Sequence, residues 1–219
     1  KYKFFEKKVS HFDYTFSISD NDKNLYKSFN NNIVAISPFH GNDEIRSLKG
    51  KGKFVLYHGN FNVSENINSA KFLINNIFES LDFPLIIAGI NASQLLSLNI
   101  KNKNIKIINN PDKREMDLLI QSAHINILPT SQATGVKLKL INSLFNGRHC
   151  LVNTKMIIPT PKLKDLCIVC DSKETFITQI KKYMEKPFDI KMIEKRKSLL
   201  FVYLNDIKNA ELILEKMKN

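Results

Sequence analysis

A repeating order of apolar strand, short loop and amphipathic helix runs through most of this chain and restricts its fold more than any other feature. The predicted strands are continuous apolar runs at Phe54–His58, Leu85–Gly89, Ile105–Ile108, Ile125–Leu128, His149–Val152 and Leu166–Cys170. Continuous rather than alternating runs are typical of parallel strands that are buried on both faces. The order therefore predicts an α/β fold with a Rossmann-like parallel sheet covered by helices on both faces.

Local signals predict where the helices between these strands begin. Asn62 and Glu65 resemble a capping box, Pro111 opens the next helix, and Asp171 with Glu174 caps a later one. In a sheet of this kind, ligands are expected at the carboxyl ends of the strands.

One segment, Thr134–Asn153, predicts a glycine turn, a helix and a buried strand. Thr134 can cap the helix, and Gly147 occupies the place of a left-handed C-cap. Lys137 and Lys139 fall in the first turn, where the helix dipole disfavours cations. Two interpretations stay open. Both lysines are solvated surface groups, or an anion such as a phosphate binds at this helix end.

The ends of the chain do not follow the repeat. Tyr14, Phe16 and Ile18 alternate with polar residues and predict a strand, followed by a helix over residues 20–30 and a short strand at Ile33–Ile36. The opening KYKFFEKK predicts an amphipathic helix fragment. The pattern separates four units, which are residues 1–38 before the repeat, 39–52 as a hinge, 53–186 as the Rossmann-like domain, and 187–219 as a carboxyl-terminal helical tail.

The charge of the chain is strongly positive, with 33 lysines and arginines against 21 acidic residues and a net charge of +12. Such a charge suits nucleic acid, an acidic membrane surface or phosphorylated ligands. The lysines are scattered and form no arginine-rich tract, so we predict no nucleic-acid partner. A basic nucleic-acid-binding protein stays as an alternative, marked by strong salt dependence of binding.

The three cysteines, an odd number, indicate a reduced, cytoplasmic setting. Cys167 and Cys170 have redox-motif spacing but lie in an apolar run that predicts a buried strand. No constellation of a metal site or a hydrolase is present. His58 and His40 could face a cleft, although histidines at strand ends are more often structural.

Four segments, in their order and spacing, resemble the carboxyl-terminal, nucleotide-sugar-binding half of a GT-B glycosyltransferase, and in particular the retaining family 4 of mannosyl- and glucosyltransferases. They are FVLYHGNFNVSENINSAKFL, FPLIIAGIN, INNPDKREMDLLIQSAHINILPT and TGVKLKLINSLFNGRHCLVN, and they cover roughly residues 53–170. The terminal run RKSLLFVYLNDIKNAELILEKM is similar to the last helices of that family, which cross back onto the amino-terminal domain. Residues 1–37 would then be the end of the acceptor domain.

The resemblance implies roles for particular residues. The sugar or diphosphate would lie near Gly59 and Asn60, and the nucleobase near the loop that begins with Asn109 and Asn110. The turn residues Gly135 and Val136 would hold the diphosphate with backbone amides. Lys137 or Lys139 would add positive charge that stabilises the departing nucleotide diphosphate without a metal or other cofactor.

The chain also departs from the family pattern. Two acidic residues usually lie eight positions apart across the turn, and counting back from Gly147 places Thr134 and Asn142 there. Asn142 could accept a hydrogen bond from the ribose through its amide oxygen, and Thr134 could contact the sugar only as a hydroxyl. Asn60 stands where a basic residue is usual. Two explanations stay open. Either the chain belongs to a subfamily with altered donor contacts, or it has lost catalytic activity.

These observations predict a hexosyltransferase portion that takes a nucleotide diphosphate sugar and acts on a glycan or lipid-linked acceptor in polysaccharide biosynthesis. The expected setting is cytoplasmic, with peripheral contact to an anionic membrane. The fragment alone is expected to be inactive, because the GT-B cleft lies between two domains. The main alternative is a non-catalytic nucleotide- or sugar-binding Rossmann module.

Overall fold

The computed structural model describes residues 8–218 and contains two parallel sheets. The strands are Thr15–Ser17 (β1), Ile33–Ala35 (β2), Val55–His58 (β3), Leu85–Gly89 (β4), Ile105–Asn109 (β5), Ile125–Leu128 (β6), His149–Val152 (β7) and Ile168–Val169 (β8). The first two form a small sheet of their own, and the other six form the main sheet. The predicted sixth strand, Leu166–Cys170, is shortened to two residues.

Helices connect the strands of both sheets. The α-helices are Asp20–Tyr26 (α1), Ser64–Phe72 (α2), Lys113–Ser122 (α3), Leu138–Asn146 (α4), Thr154–Ile157 (α5), Lys173–Glu185 (α6), Ile190–Tyr203 (α7) and Asp206–Lys218 (α8). Helix α2 continues as a π-helical turn at Leu73–Ile77, and short 3₁₀ helices occupy Lys8–His11, Ala92–Ser97 and Pro161–Leu166.

The main sheet has the order β5-β4-β3-β6-β7-β8, with every neighbouring pair parallel. The chain first adds strands on one side of β3 and then returns to add the rest on the other side. The order therefore reverses between β3 and β6, and sheets of this kind bind their ligands beyond the carboxyl ends of the strands at such a reversal, a place called the crevice below. The predicted α/β fold with a helix-covered parallel sheet is confirmed.

The core explains why the apolar runs became strands. All four residues of β3, β6 and β7 are buried, whereas the edge strand β5 is half-exposed. The apolar stripe of α2 and its π-helical turn buries Ala70, Leu73 and Ile77 against one face. Helix α3 covers Leu56 and Ala88 on the other with Ile120.

Two of the predicted helix caps are wrong. Helix α2 begins after Val63 without a side-chain cap, and Glu65 turns away from Asn62 toward the loop after β6. Helix α6 is capped by Ser172 and Thr175, because Asp171 accepts hydrogen bonds from Thr154 at the start of α5 instead. In both places, a tertiary partner holds the carboxylate that the local pattern assigned to the cap.

Helix α3 begins two residues later than predicted. Pro111 precedes it, and Asp112 caps it through a reciprocal capping box with Glu115. The predicted helix over residues 20–30 ends earlier, at Tyr26. The tail forms two successive helices, α7 and α8.

The segment over residues 39–52 connects the small sheet to the main one and contacts the carboxyl-terminal helices. Asp206 accepts hydrogen bonds from the backbone N–H groups of His40 and Gly41, and Asn209 donates to Ser37. Gly50 forms an antiparallel bridge with Phe188.

The division into units at residues 38, 52 and 186 stays a prediction. The predicted helix in KYKFFEKK falls almost wholly on residues 1–7, outside the described part. No helix within residues 8–218 is long and apolar enough to cross a membrane.

Candidate functional site

The carboxyl ends of β3 and β4 approach each other closely at two glycines. Gly89 has a φ of +150°, and a Cβ atom there would collide with the carbonyl oxygen of Gly59. Only glycine permits this approach, so the loops after the two strands lie side by side. Gly59, one of the predicted sugar-contact residues, therefore lies at the rim of the crevice.

The predicted diphosphate turn leads into α4 on the other side of the crevice. Gly135 has a φ of +70°, and its position is open to solvent. The helix begins at Leu138 with Lys137 at the N-cap position and without a side-chain cap. The prediction that Thr134 caps this helix is wrong, because Thr134 lies four residues before the helix and is exposed. The Leu140 N–H already donates to the carbonyl oxygen of Lys137, whereas the N–H groups of Leu138 and Lys139 come too early in α4 for an intrahelical partner and could donate to an anion.

The end of α4 also differs from its prediction. Gly147 is extended, with a φ of −89°, rather than left-handed. Glycine is required there because a Cβ atom would collide with the Asn126 side chain. The buried guanidinium of Arg196 donates hydrogen bonds to the carbonyl oxygens of Gly147 and Arg148 and, at 2.7 Å, to Ser47 Oγ. Arg196 thus satisfies the two carbonyl groups that directly follow the site helix.

Lys139 reaches across the crevice from the first turn of α4. Its Nζ donates to Asn66 Oδ1 at 3.0 Å and lies 5.1 Å from the centre of the Tyr57 ring. Burial lowers the pKa of Lys139 to about 8, although the Glu65 carboxylate opposes this shift and Lys137 adds to it. A bound anion would favour the charged form of this lysine.

Lys137 lies beside a carboxylate that contributes to the same crevice. Its Nζ is 3.7 Å from Oε2 of Glu65, and both side chains are largely buried. Glu65 belongs to the first turn of α2, after β3, and its Oε1 accepts hydrogen bonds from the Thr130 hydroxyl and the Gln132 N–H in the loop after β6. The carboxylate therefore connects the start of α2 to the loop after β6.

The two candidate histidines both have contacts within the protein. His58 is buried at the end of β3 with Nε2 3.2 Å from Ser143 Oγ, and burial, together with the Lys139 charge, lowers its pKa to about 3. The imidazole of His40 packs 4.8 Å from the ring of Phe145, centre to centre. Its Nδ1 accepts from the Asn42 N–H, which places the ring proton on Nε2.

Asn142, the predicted ribose contact, already has a partner in the hinge segment. Its Oδ1 accepts a hydrogen bond of 3.0 Å from Asn42 Nδ2, and Asn146 Nδ2 donates to Asn42 Oδ1 at 2.9 Å. These amides attach the segment over residues 39–52 to the side of α4 that carries Asn142 and Asn146. Asn142 has accepting capacity left, because an amide oxygen carries two lone pairs.

Asparagine amides also fix the other predicted contact loops. Asn110 and Asn91 both have positive φ angles, 50° and 56°, and Asn110 Oδ1 accepts from the Asn91 N–H at 2.8 Å. Asn109 Oδ1 accepts from the Ser93 N–H. Asn60 holds its own turn, with its carbonyl oxygen accepting from Asn66 Nδ2. The side-chain oxygens of the predicted nucleobase loop are thus engaged within the protein.

The cysteine pair with redox spacing lies away from the crevice. Cys167 directly precedes β8, and a hydrogen bond with Cys150 of β7, together with burial, raises its pKa. Burial also raises the pKa of Cys170 to about 11. Thiols with raised pKa values are poor nucleophiles and poor metal ligands. Within residues 8–218, no three histidine, cysteine or acidic side chains are grouped so as to hold a metal ion.

The structure thus brings Lys139 and the Gly59 turn together at the Asn66 side chain. Val136 and Lys137 precede Lys139 in the chain, and Thr134 is exposed. Glu65 and Asn66 were not predicted as members of the site. A usable signal was present, since both lie directly after the turn that ends β3 at the predicted carboxyl edge.

Comparisons with known proteins agree with this architecture. No protein-family model matches the chain, and no curated protein matches it. Among solved structures, TarM of S. aureus, in a complex with fondaparinux, α-GlcNAc-glycerol and UDP, is similar over the whole chain with a TM-score of 0.74 at 10% identity. The match covers 46% of that protein.

Two further structures show the same likeness. The GtfA/B complex matches all of the chain with a TM-score of 0.68 at 11% identity, and 48% of that protein is covered. A UDP-forming trehalose-phosphate synthase of Burkholderia vietnamiensis matches 99% of the chain with a TM-score of 0.70 at 8% identity, and 64% of that protein is covered. The chain spans about half the length of the first structures it matches. The chain therefore has a GT-B glycosyltransferase fold.

Proposed function

We propose that the chain is the sugar-donor-binding portion of a glycosyltransferase, which binds a nucleotide diphosphate sugar at the crevice between β3 and β6. The observation that supports this most directly is the pair Lys137 and Lys139 at the open N-terminus of α4. Two cations at a helix end that disfavours them are explained by a polyanionic ligand. That one similar structure contains UDP agrees with this ligand class.

The chemistry proposed for this site is charge stabilisation. Cleavage of the bond between the sugar and the diphosphate leaves negative charge on the departing nucleotide. The backbone N–H groups of the first turn of α4 and the two lysines would stabilise that charge in the transition state. We further propose retention of anomeric configuration, a hexose as the transferred sugar, and a glycan or lipid-linked acceptor in polysaccharide assembly, from the resemblance to family 4. The described chain by itself would bind nucleotide weakly and transfer little.

A second candidate is a non-catalytic nucleotide-binding module. One observation favours it. Asn142 Oδ1, the predicted acceptor for a ribose hydroxyl, already accepts a hydrogen bond from Asn42 in the hinge segment. Transfer assays on a longer protein that includes a partner domain would separate the two candidates.

A thermal-shift series with UDP, GDP, UDP-glucose and GDP-mannose tests the proposed ligand class. A ligand that binds only the folded state raises its stability with the logarithm of concentration. We expect either UDP and UDP-glucose or GDP and GDP-mannose to raise the melting temperature. Lys137→Ala should reduce that increase. The absence of any shift with all four compounds would contradict the proposal.

A further inference from the structure

Glu65 is the unusual member of the crevice, because it is an acidic side chain beside two lysines at a place proposed to bind phosphates. The residue is 9% exposed, and it lies between the carboxyl ends of β3 and β6. A buried carboxylate is costly unless its oxygens are paired or hydrogen-bonded. The contacts of its two oxygens therefore indicate its use.

The two oxygens of Glu65 have different surroundings. Oε1 accepts two hydrogen bonds, from the Thr130 hydroxyl and from the Gln132 N–H. Oε2 accepts none from the part of the chain that the structure describes, and the Lys137 ammonium group lies 3.7 Å away, beyond hydrogen-bond distance. Oε1 thus fixes the orientation of the carboxylate, and Oε2 keeps accepting capacity on the side of Lys137.

A phosphate cannot use that capacity, because a carboxylate only accepts hydrogen bonds and repels a second anion. A sugar hydroxyl can use it, since it donates a hydrogen bond. In a nucleotide sugar, the sugar is attached to the phosphate that Lys137 would contact, so its hydroxyl groups come within reach of the neighbouring carboxylate.

The free nucleoside diphosphate differs from the nucleotide sugar in two respects. It lacks the hydroxyl donors, and its terminal phosphate carries additional negative charge above a second pKa of about 6. Both differences make Glu65 favour the nucleotide sugar. We infer that Glu65 is a specificity-determining residue that accepts a sugar hydroxyl through Oε2 and disfavours the free nucleoside diphosphate. This inference rests on the proposed function.

The test compares dissociation constants of UDP with UDP-glucose and of GDP with GDP-mannose for the wild type and Glu65→Gln. We expect the preference for the nucleotide sugar over the free diphosphate to fall by about fivefold, partly through tighter binding of the free diphosphate. If Glu65 only positioned Lys137, both affinities would fall together and the ratio would stay constant. That result overturns the inference.

Glu65→Asp provides a second variant that keeps the charge and withdraws it by one methylene group. Binding of UDP-glucose or GDP-mannose should weaken, while binding of the free diphosphate stays near the wild-type value. Equal weakening of both would again contradict a sugar contact. Glu79→Gln, an exposed carboxylate beyond the other end of α2, is the matched control and should leave the ratio unchanged. A wild type that binds none of the four compounds contradicts the proposed function itself, which is a distinct outcome.

Discussion

Lys139 Nζ lies 3.0 Å from Asn66 Oδ1, so a residue of the helix after β6 contacts a residue of the helix after β3. This contact crosses the point where the strand order of the main sheet reverses. It holds the lysine over the Tyr57 ring, in a partly buried position that lowers its pKa. A phosphate oxygen could replace Asn66 as the hydrogen-bond acceptor at little cost, since the cation is already desolvated.

The two lysines should each contribute to nucleotide diphosphate binding. We expect Lys137→Ala and Lys139→Ala to weaken binding of UDP or GDP by roughly tenfold each, because each removes a charge-assisted hydrogen bond. Isothermal titration calorimetry measures the change. Lys71→Ala, an exposed lysine in the last turn of α2, is the matched control and should bind like the wild type. Lysine variants that match this control would show that neither side chain contacts the nucleotide.

Nucleotide binding should depend on pH through Lys139. Its pKa is lowered to about 8, and an anion binds the protonated form, so affinity should fall as pH rises through 8. Between about pH 7 and about pH 9, the protonated fraction falls roughly tenfold, and the apparent affinity should fall by the same factor. Lys139→Arg, which stays charged over this range, should flatten the profile. A wild-type profile equally flat would remove Lys139 from the phosphate site.

The same depressed pKa also affects stability. Because the folded state binds the Lys139 proton less tightly than the unfolded state does, protonation of this group favours unfolding. The free energy of unfolding should therefore gain a contribution as pH rises from about 8 toward the ordinary value of 10.5. Lys139→Met should lack this contribution in denaturant titrations across that range. Identical pH dependence in the two proteins would contradict the shift.

The strands were predictable because burial on both faces requires uninterrupted apolar runs, and β3, β4 and β6 follow directly from that requirement. The position of the crevice also followed, since parallel strands place their carboxyl ends at one edge. The caps were less predictable. Glu65 has the spacing of a capping residue, but Thr130, which lies 65 positions away along the chain, offers it a buried partner.

The contacts that define the site are mostly between residues distant in sequence. Asn142 is held by Asn42, which lies 100 positions away, and no local pattern encodes that pair. Gly147 illustrates a different failure. A glycine is required there because the Asn126 side chain leaves no space for a Cβ atom, and not because the backbone is left-handed. The sequence alone does not distinguish a glycine needed for space from one needed for its backbone angle.

Arg196 should be a major determinant of stability near the site. Its guanidinium is buried, donates to the carbonyl oxygens of Gly147 and Arg148 directly after α4, and lies 4.6 Å from the centre of the Phe188 ring. Arg196→Met should lower the free energy of unfolding by about 3 kcal/mol or more, because buried acceptors lose their donors. Denaturant titration provides the measurement.

Two variants serve as controls for Arg196. Arg196→Lys keeps the charge but not the planar fork, and it should recover only part of the loss. Lys197→Met removes an exposed ion pair with Glu194 and should change stability by about 0.5 kcal/mol or less. A loss for Arg196→Met as small as that for Lys197→Met would mean that other donors satisfy the end of α4.

Asn142→Glu tests whether position 142 contacts the ribose. A glutamate can still accept from Asn42 Nδ2 and offers a second, charged oxygen to a ribose hydroxyl, so nucleotide affinity should rise by roughly tenfold. Charge alone predicts the opposite, because a new anion near a diphosphate weakens binding. The direction of the change in affinity, measured by calorimetric titration with UDP or GDP, therefore separates a ribose contact from an effect of the added charge alone.

Asn75→Glu is the control, because it adds the same charge at an exposed position remote from the crevice and should leave affinity unaltered. Weaker or unchanged binding in Asn142→Glu would place the ribose elsewhere, and the amide pair of Asn42 and Asn142 would then serve only to hold the hinge segment on α4.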